Sequence, residues 1–253
     1  MNNRITIIIA TYNASQTLRR CLESVVCQLT DECELLVIDG GSTDGTQNII
    51  EEFKDNISYT VSEPDEGVYD AWNKGIKAST GKWIAFIGAD DVLLPYAIEH
   101  YMNFFKENGE GYDVICGKLH LVDEHGNILR DVGEPWNWAK MAHRTLKFAH
   151  PGMLHNRKCF ERIGLFDTRY KICADSDFLQ RLGSGTKAGY LDEFLVNMQK
   201  GGISDSLAAL KEGYLTRKNN HVLNPIVNLY EYAHIYLRYR IGKVLRSLKL
   251  TKR

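Results

Sequence analysis

A repeated alternation in the first 110 residues constrains the fold of this chain more than any other feature. Ile5–Ala10 (ITIIIA), Glu34–Asp39 (ELLVID), Ile57–Ser62 (ISYTVS) and Trp83–Gly88 (WIAFIG) are short apolar, β-branched runs. That is the pattern of strands buried on both faces. Between them lie stretches with helical spacing: Leu18, Cys21, Leu22, Val25 and Val26 within Ser15–Gln28, then Thr46–Phe53, Val68–Ala78 and, after Pro95, Tyr96–Phe105. Such alternation predicts parallel βαβ units with right-handed crossovers, an α/β chain. Ligands of open parallel sheets bind beyond the carboxyl ends of the strands. Polar residues fall at each of those ends: Thr11-Tyr12-Asn13, Asp39-Gly40-Gly41-Ser42, Glu63-Pro64-Asp65 and Asp90-Asp91. A surface turn explains any one of them; four in succession predict one shared site.

The last of these ends poses a physical problem. Adjacent carboxylates repel, and burial raises the cost of ionising both. Asp90-Asp91 therefore requires a positive partner or an open turn. After residue 110 the pattern changes. YDVICGKLHLVDEHGNILRDVG reads as a strand and a hairpin turning at His125-Gly126-Asn127; a looser stretch with Trp136 and Trp138, a short helix over Lys158–Ile163 and the acidic segment CADSDFLQRL follow. This half extends the sheet with mixed structure, and no domain boundary is expected within residues 1–224.

The 253 residues suit one large domain or a domain with an appendage. A formal net charge of −1 supplies no bulk field for nucleic acid. Six cysteines, with no C-x-x-C pair, suit neither a zinc site nor a disulfide framework and predict free thiols in a reducing compartment. No apolar run reaches the length of a membrane span or a signal peptide, so a cytoplasmic location is expected.

In their order and spacing, TYN, LLVIDGGSTDGT, SEPDEGVYDAWNKGI, GKWIAFIGADD and CADSDFLQRL resemble the motifs of glycosyltransferase family 2, over about residues 4–200. The SEPDEGVYDAWNKG block is similar to a branch that builds bacterial surface polysaccharides such as O-antigen, capsule or exopolysaccharide. The resemblance implies the GT-A fold, with a Rossmann-like, mostly parallel sheet. Residues 1–110 would form the nucleotide-sugar-binding half, 111–224 a mixed acceptor-binding half and 225–253 a helical tail. It also implies inverting sugar transfer from a nucleotide sugar, usually uridine-based, with a divalent cation, Mg2+ or Mn2+.

The chemistry can be followed residue by residue. A diphosphate leaving group gains negative charge as the glycosidic bond breaks, and a hard cation held by carboxylates neutralises it. The resemblance gives Asp91 that cation and turns Asp90 to the ribose or to the metal's water shell. It gives Asp39 the uracil edge, whose N3–H a carboxylate can accept, and sets Thr11, Tyr12 and Asn13 beside the base. Asn73 and Lys74, where relatives carry an arginine–asparagine pair, would approach the diphosphate. His150 stands where relatives often have a histidine, with phosphate, metal or acceptor as its partner. Inverting displacement needs a carboxylate base on the acceptor side. Asp175 matches it, with Asp177 as the fallback; on one helix they diverge by about 200°, so only one can face the site. Ala174 stands where the family has a glutamate. Lys200–Ser204 (KGGIS) is expected to be a loop that closes over donor or acceptor, or a plain turn.

From Pro225 the composition shifts. Leu229, Tyr232, Ala233, Tyr236, Leu237, Ile241, Val244, Leu245 and Leu248 recur at helical spacing among Arg238, Arg240, Lys243, Arg246, Lys249, Lys252 and Arg253, with Glu231 the one acid. A basic amphipathic helix with interfacial tyrosines suits an anionic membrane surface, and would fit a saccharide acceptor carried on a polyprenyl diphosphate. The alternative is a helix packed on the domain. Two rival functions are also considered. A sugar-phosphate nucleotidyltransferase would need a glycine-rich basic loop after the first strand, which ATYNASQ lacks. A non-catalytic sugar-nucleotide or polysaccharide binder would have no need to keep Asp39, Asp90, Asp91 and Asp175 together. The sugar, acceptor and linkage are not readable from these motifs.

Overall fold

The structure, a computed structural model, describes residues 4–250 apart from 145, 147, 149 and 202–205, with side chains described as far as residue 241. Its first half runs β1 (Ile5–Thr11), α1 (Leu18–Val26), β2 (Cys33–Asp39), α2 (Thr46–Glu52), β3 (Tyr59–Ser62), α3 (Val68–Ala78), β4 (Trp83–Gly88), β5 (Val92–Leu93) and α4 (Ala97–Asn108). The second half continues with β6 (Val114–Val122), β7 (Ile128–Val132), α5 (Trp138–Ala142), β8 (Leu154–Asn156), α6 (Arg157–Ile163), α7 (Ala174–Leu182), β9 (Ala188–Gln199), α8 (Leu207–Asn219) and α9 (Pro225–Leu250).

The described strands form one sheet in the order β3-β2-β1-β4-β8-β6-β9-β5, with β7 attached to β6. The chain winds outward from β1 through β2 to β3, then returns to place β4 on the other side of β1, all parallel. The strand order therefore reverses between β1 and β4, the position where open sheets leave a crevice. Register brings the polar ends level: Thr11 lies opposite Asp39, Asp39 opposite Ser62, and Ala10 opposite Gly88. The second half is mixed. β8 runs antiparallel to β4 and β6, while β6 and β9 are parallel.

Alternate residues of the central strands enter two cores. Ile5, Ile7, Ile9, Leu35 and Val37 point to one face, where α1 buries Leu18, Cys21, Leu22 and Val25 at helical spacing and α4 buries Tyr101 and Phe105. Ile8, Leu36, Ile38 and Phe86 point to the other, under α3, α6 and α7. Each fully buried aliphatic or aromatic chain contributes about 1.5–3 kcal/mol, so the parallel half is strongly determined by its own sequence. Gly75 lets α3 sit close on β1: a Cβ there would come within 2.6 Å of Ile8 Cγ2.

Two features depart from the sequence reading. The third strand is shorter than expected because a 3-10 turn at Lys54–Asn56 precedes it, and its edge position leaves Tyr59 exposed. β9, twelve residues long, was not expected, because its apolar residues are scattered and most of the strand is only partly buried. The first turns of α9 pack on the domain: Asn228 Nδ2 donates to the Tyr214 carbonyl, Tyr232 packs on Tyr214, and Glu231 pairs with Arg217 at 2.6 Å and His143 at 2.5 Å. All six cysteines are free.

Candidate active site

The edge where β1, β2, β3 and β4 end is built by their own turn residues. Asn13, at φ +48°, ties two loops together: its amide donates to Ser42 Oγ at 2.7 Å and its Oδ1 accepts from the Thr43 amide at 3.0 Å. Thr11 is buried, and its hydroxyl has no partner among the described residues. Tyr12 is 65% exposed and offers a free ring face at the rim. Asp39 is tied down from within the protein. It is fully enclosed, and its oxygens already accept from the Ser42 amide (3.0 Å), Ser42 Oγ (2.5 Å) and Ser62 Oγ (2.5 Å). In this geometry it gathers the ends of β2 and β3 beneath the site. The half-buried carboxylate at this edge is Asp65. Its Oδ1 accepts from the Gly67 amide at 2.8 Å, and its Oδ2 lies 2.7 Å from where a Cβ on Gly40 would stand. The glycine after Asp39 is the sequence signal that an approaching side chain needed that space.

The Asp90-Asp91 turn gathers its two carboxylates over Gly88. A Cβ on Gly88 would meet Asp90 Oδ1 at 2.9 Å and Asp91 Oδ2 at 3.0 Å, so both carboxylates converge on the space beside Gly88. Asp91 is buried; its oxygens accept from the amides of Gly88 (3.0 Å) and Gln199 (3.3 Å). Burial, and then the charge of Asp90, push its carboxyl up to about 7. The nearby cation, Arg20 of α1, donates to the Asp90 carbonyl (3.2 Å) and Gln199 Oε1 (3.1 Å), not to either carboxylate. Two converging carboxylates without a directly bonded cation fit a divalent ion. Among the described residues no three His, Cys, Asp or Glu side chains gather on one point. The pair would thus share an ion with phosphate and water ligands, as magnesium accepts.

The structure separates Asp175 from Asp177. Asp175, in the first turn of α7, turns toward α3, where Tyr69 donates to its Oδ1 at 3.2 Å and the Ser176 amide at 2.7 Å. Burial holds its carboxyl above the usual range. Asp177 turns the other way and is locked by Arg181 Nε (2.8 Å) and Asn220 Nδ2 (2.8 Å), as a packed ion pair. Tyr69 was missed by sequence reasoning, since it lies 106 positions from Asp175.

Three further candidate residues are engaged within the protein. Asn73 is buried, and both ends of its amide are used by the Phe166 backbone, at 2.9 and 3.0 Å. Lys74 pairs with Glu63 at 2.9 Å and bonds the Pro64 carbonyl at 3.1 Å, so its charge is engaged at the end of β3. His150 lies in the aromatic core, stacked on Trp72 (5.1 Å) and Phe86 (5.8 Å) at mid-strand, away from the strand ends. Burial pushes its pKa down to about 3, which keeps the ring neutral. Of the KGGIS loop only Lys200 and Gly201 are described; the remainder lies outside the described residues.

The chain is similar to known proteins in sequence and in fold. Residues 6–168 match the sequence model of the family described as Glycosyl transferase family 2. A PGL/p-HBAD biosynthesis glycosyltransferase of Mycobacterium bovis is 34% identical over 179 residues, covering 68% of this chain and 67% of the relative. An uncharacterized glycosyltransferase of Rickettsia prowazekii is 31% identical over 184 residues, covering 68% of this chain and 56% of the relative. Among solved structures, S. aureus TarS 1-349 in complex with UDP-GlcNAc superposes with a TM-score of 0.68 at 17% identity, covering 91% of this chain and 71% of that one. The mannosyltransferase PcManGT from Pyrobaculum calidifontis, in complex with GDP-Man and Mn2+, gives a TM-score of 0.60 at 16% identity, covering 99% and 81%. These two likenesses show a shared fold of the GT-A type.

Proposed function

The chain belongs to glycosyl transferase family 2, and from that premise we propose that it is an inverting, metal-dependent glycosyltransferase that moves a sugar from a nucleotide sugar, uridine-based, to a saccharide acceptor. The observation that carries this reading is the convergence of Asp90 and Asp91 beside Gly88, at the strand edge where the sheet order reverses. Asp91 and Asp90 would hold one Mg2+ or Mn2+, which supplies electrostatic relief for the diphosphate leaving group. The remaining tasks fall to the chain. Tyr12 and Asp65 border the base, while Thr11, Asn13 and Asp39 shape the floor beneath it. Asp175 takes the proton of the acceptor hydroxyl as that hydroxyl attacks the anomeric carbon. Burial, which holds its carboxyl above the usual range, favours its taking up that proton, and the Tyr69 hydroxyl orients it.

The acceptor in this reading is lipid-linked, carried on a polyprenyl diphosphate in bacterial cell-surface glycan synthesis. What supports it is α9. Its inner residues, Asn228, Glu231 and Tyr232, engage the domain. Its outer residues Ile226, Tyr230, Leu237 and Ile241 are between 58% and 79% exposed. Arg238 and Arg240, both exposed, flank this apolar stripe from its two sides, while Glu231 is engaged by Arg217 and His143. Such a face fits an anionic membrane surface on the inner leaflet; among the described residues no helix is long and apolar enough to cross a membrane. The test of the catalytic reading is a panel of UDP- and GDP-sugars incubated with Mn2+. Metal-dependent release of nucleoside diphosphate supports it, whereas binding without release favours a non-catalytic sugar-nucleotide binder.

A further inference from the structure

We infer that Glu212 of α8 is a positioning residue for the catalytic base, an inference that rests on reading Asp175 as that base. The segment Lys171–Cys173 leads directly into α7, and Cys173, at the helix start, has no side-chain cap of its own. Its amides would be unpaired donors at a helix N-terminus. Glu212 reaches across from α8 and takes all three: Oε1 accepts from the Lys171 amide at 3.0 Å, and Oε2 from the amides of Ile172 at 2.8 Å and Cys173 at 3.0 Å. These are charge-assisted bonds, roughly twice as strong as neutral ones, and a carboxylate there also suits the helix dipole.

The same segment is held from its opposite side. The Tyr69 hydroxyl lies 2.8 Å from the Ile172 carbonyl and 3.2 Å from Asp175 Oδ1, and Lys171 Nζ donates to the Glu66 carbonyl at 2.9 Å. Glu212 and α3 thus grip one short strap between them, and Asp175 is two residues beyond its end. The base is placed by what holds the strap. Only a carboxylate can do what Glu212 does, because three N–H donors need an acceptor at both of its oxygens. An amide in its place offers one oxygen and turns an N–H toward another N–H. Glu212 lies beyond the stretch matched by the family model.

A displacement of about 1 Å in a reacting group costs on the order of 100-fold in rate. In full-length protein, Glu212→Gln should lower the kcat for nucleoside diphosphate release by ten- to 100-fold. The donor is whichever UDP- or GDP-hexose the wild type hydrolyses fastest with Mn2+. The KM for that donor should stay within twofold, and hydrogen exchange at the amides of residues 171–173 should accelerate at least tenfold. Glu212→Asp, which keeps the charge but shortens the reach, should show the same split at smaller size and serves if the glutamine variant fails to fold. A kcat within twofold of wild type in a variant with freely exchanging amides overturns the inference. So does a fall in kcat, donor affinity and melting temperature together, which is mere destabilisation. Asp175→Asn separates the layers: if it is inactive while Glu212→Gln is not, only the role of Glu212 falls; if it is fully active, the base assignment falls first.

Discussion

Two pairs of carboxylates, Asp90-Asp91 at a strand end and Asp175 with Asp177 at a helix start, meet opposite fates. On the turn, neighbouring side chains fold over one glycine and converge, so like charges accumulate and one carboxyl is lifted to about 7. On the helix, residues two apart diverge by about 200°. One reaches Tyr69 of α3, the other is tied to Arg181 and Asn220. The backbone, more than the residue type, decides whether two aspartates make a joint binding site or divide into a reactive group and a structural one. Strand-end turns concentrate charge for a cation; helices distribute it.

The largest effect that tests this contrast is expected at the turn. Asp91→Ala should reduce Mn2+-dependent UDP binding, followed by calorimetry, below detection with the fold intact. Unchanged affinity would mean the pair is only a solvated turn. Next comes Asp177→Ala, which leaves Arg181 partly buried without its partner and should cost about 3 kcal/mol of stability. Denaturant midpoints would show the loss, with turnover per folded molecule preserved; a stable but inactive variant would mean the helix pair was divided the wrong way round.

The contrast also predicts a pH dependence. Asp91 has its pKa raised from an ordinary 3.8 to about 7, so its protonated form suits the fold. That contribution to stability is complete below the unfolded value and is lost as pH rises through about 7. A bound cation reverses the preference. The rise in melting temperature produced by Mn2+ should therefore be larger at pH 8 than at pH 5, and an equal rise at both would break the link between the ion and Asp91. The smallest effect concerns α9. Leu237→Glu on its outer face should weaken flotation with anionic vesicles by roughly tenfold, the loss of one buried leucine. Removing the whole tail is a poorer experiment, since losing Glu231 would strand the buried charge of Arg217.

The parallel half of the fold was legible because each strand is a self-contained apolar run and each strand end a polar cluster. The division of Asp175 from Asp177 was legible as helical geometry. What stayed hidden depends on partners distant in sequence. Asn73 is captured by Phe166, 93 positions away, and Asp39 by Ser62 across a loop. His150 joins an aromatic cluster assembled from α3, β4 and β8. Polar residues in motif positions thus take part in long-range packing, which no local pattern shows. In α9 the periodicity showed an amphipathic helix but could not tell which residues meet the domain.

The most direct test of the central claim, that the turn pair serves the donor while one helix carboxylate serves the acceptor, is to measure turnover and UDP affinity together in Asp175→Asn. The amide keeps the shape but cannot take a proton, and such a base contributes roughly 10²–10⁴-fold. Turnover should fall by that factor while the Mn2+-dependent dissociation constant for UDP stays within about twofold of wild type. Near wild-type turnover, or a loss of UDP affinity matching the loss of turnover, would contradict the account.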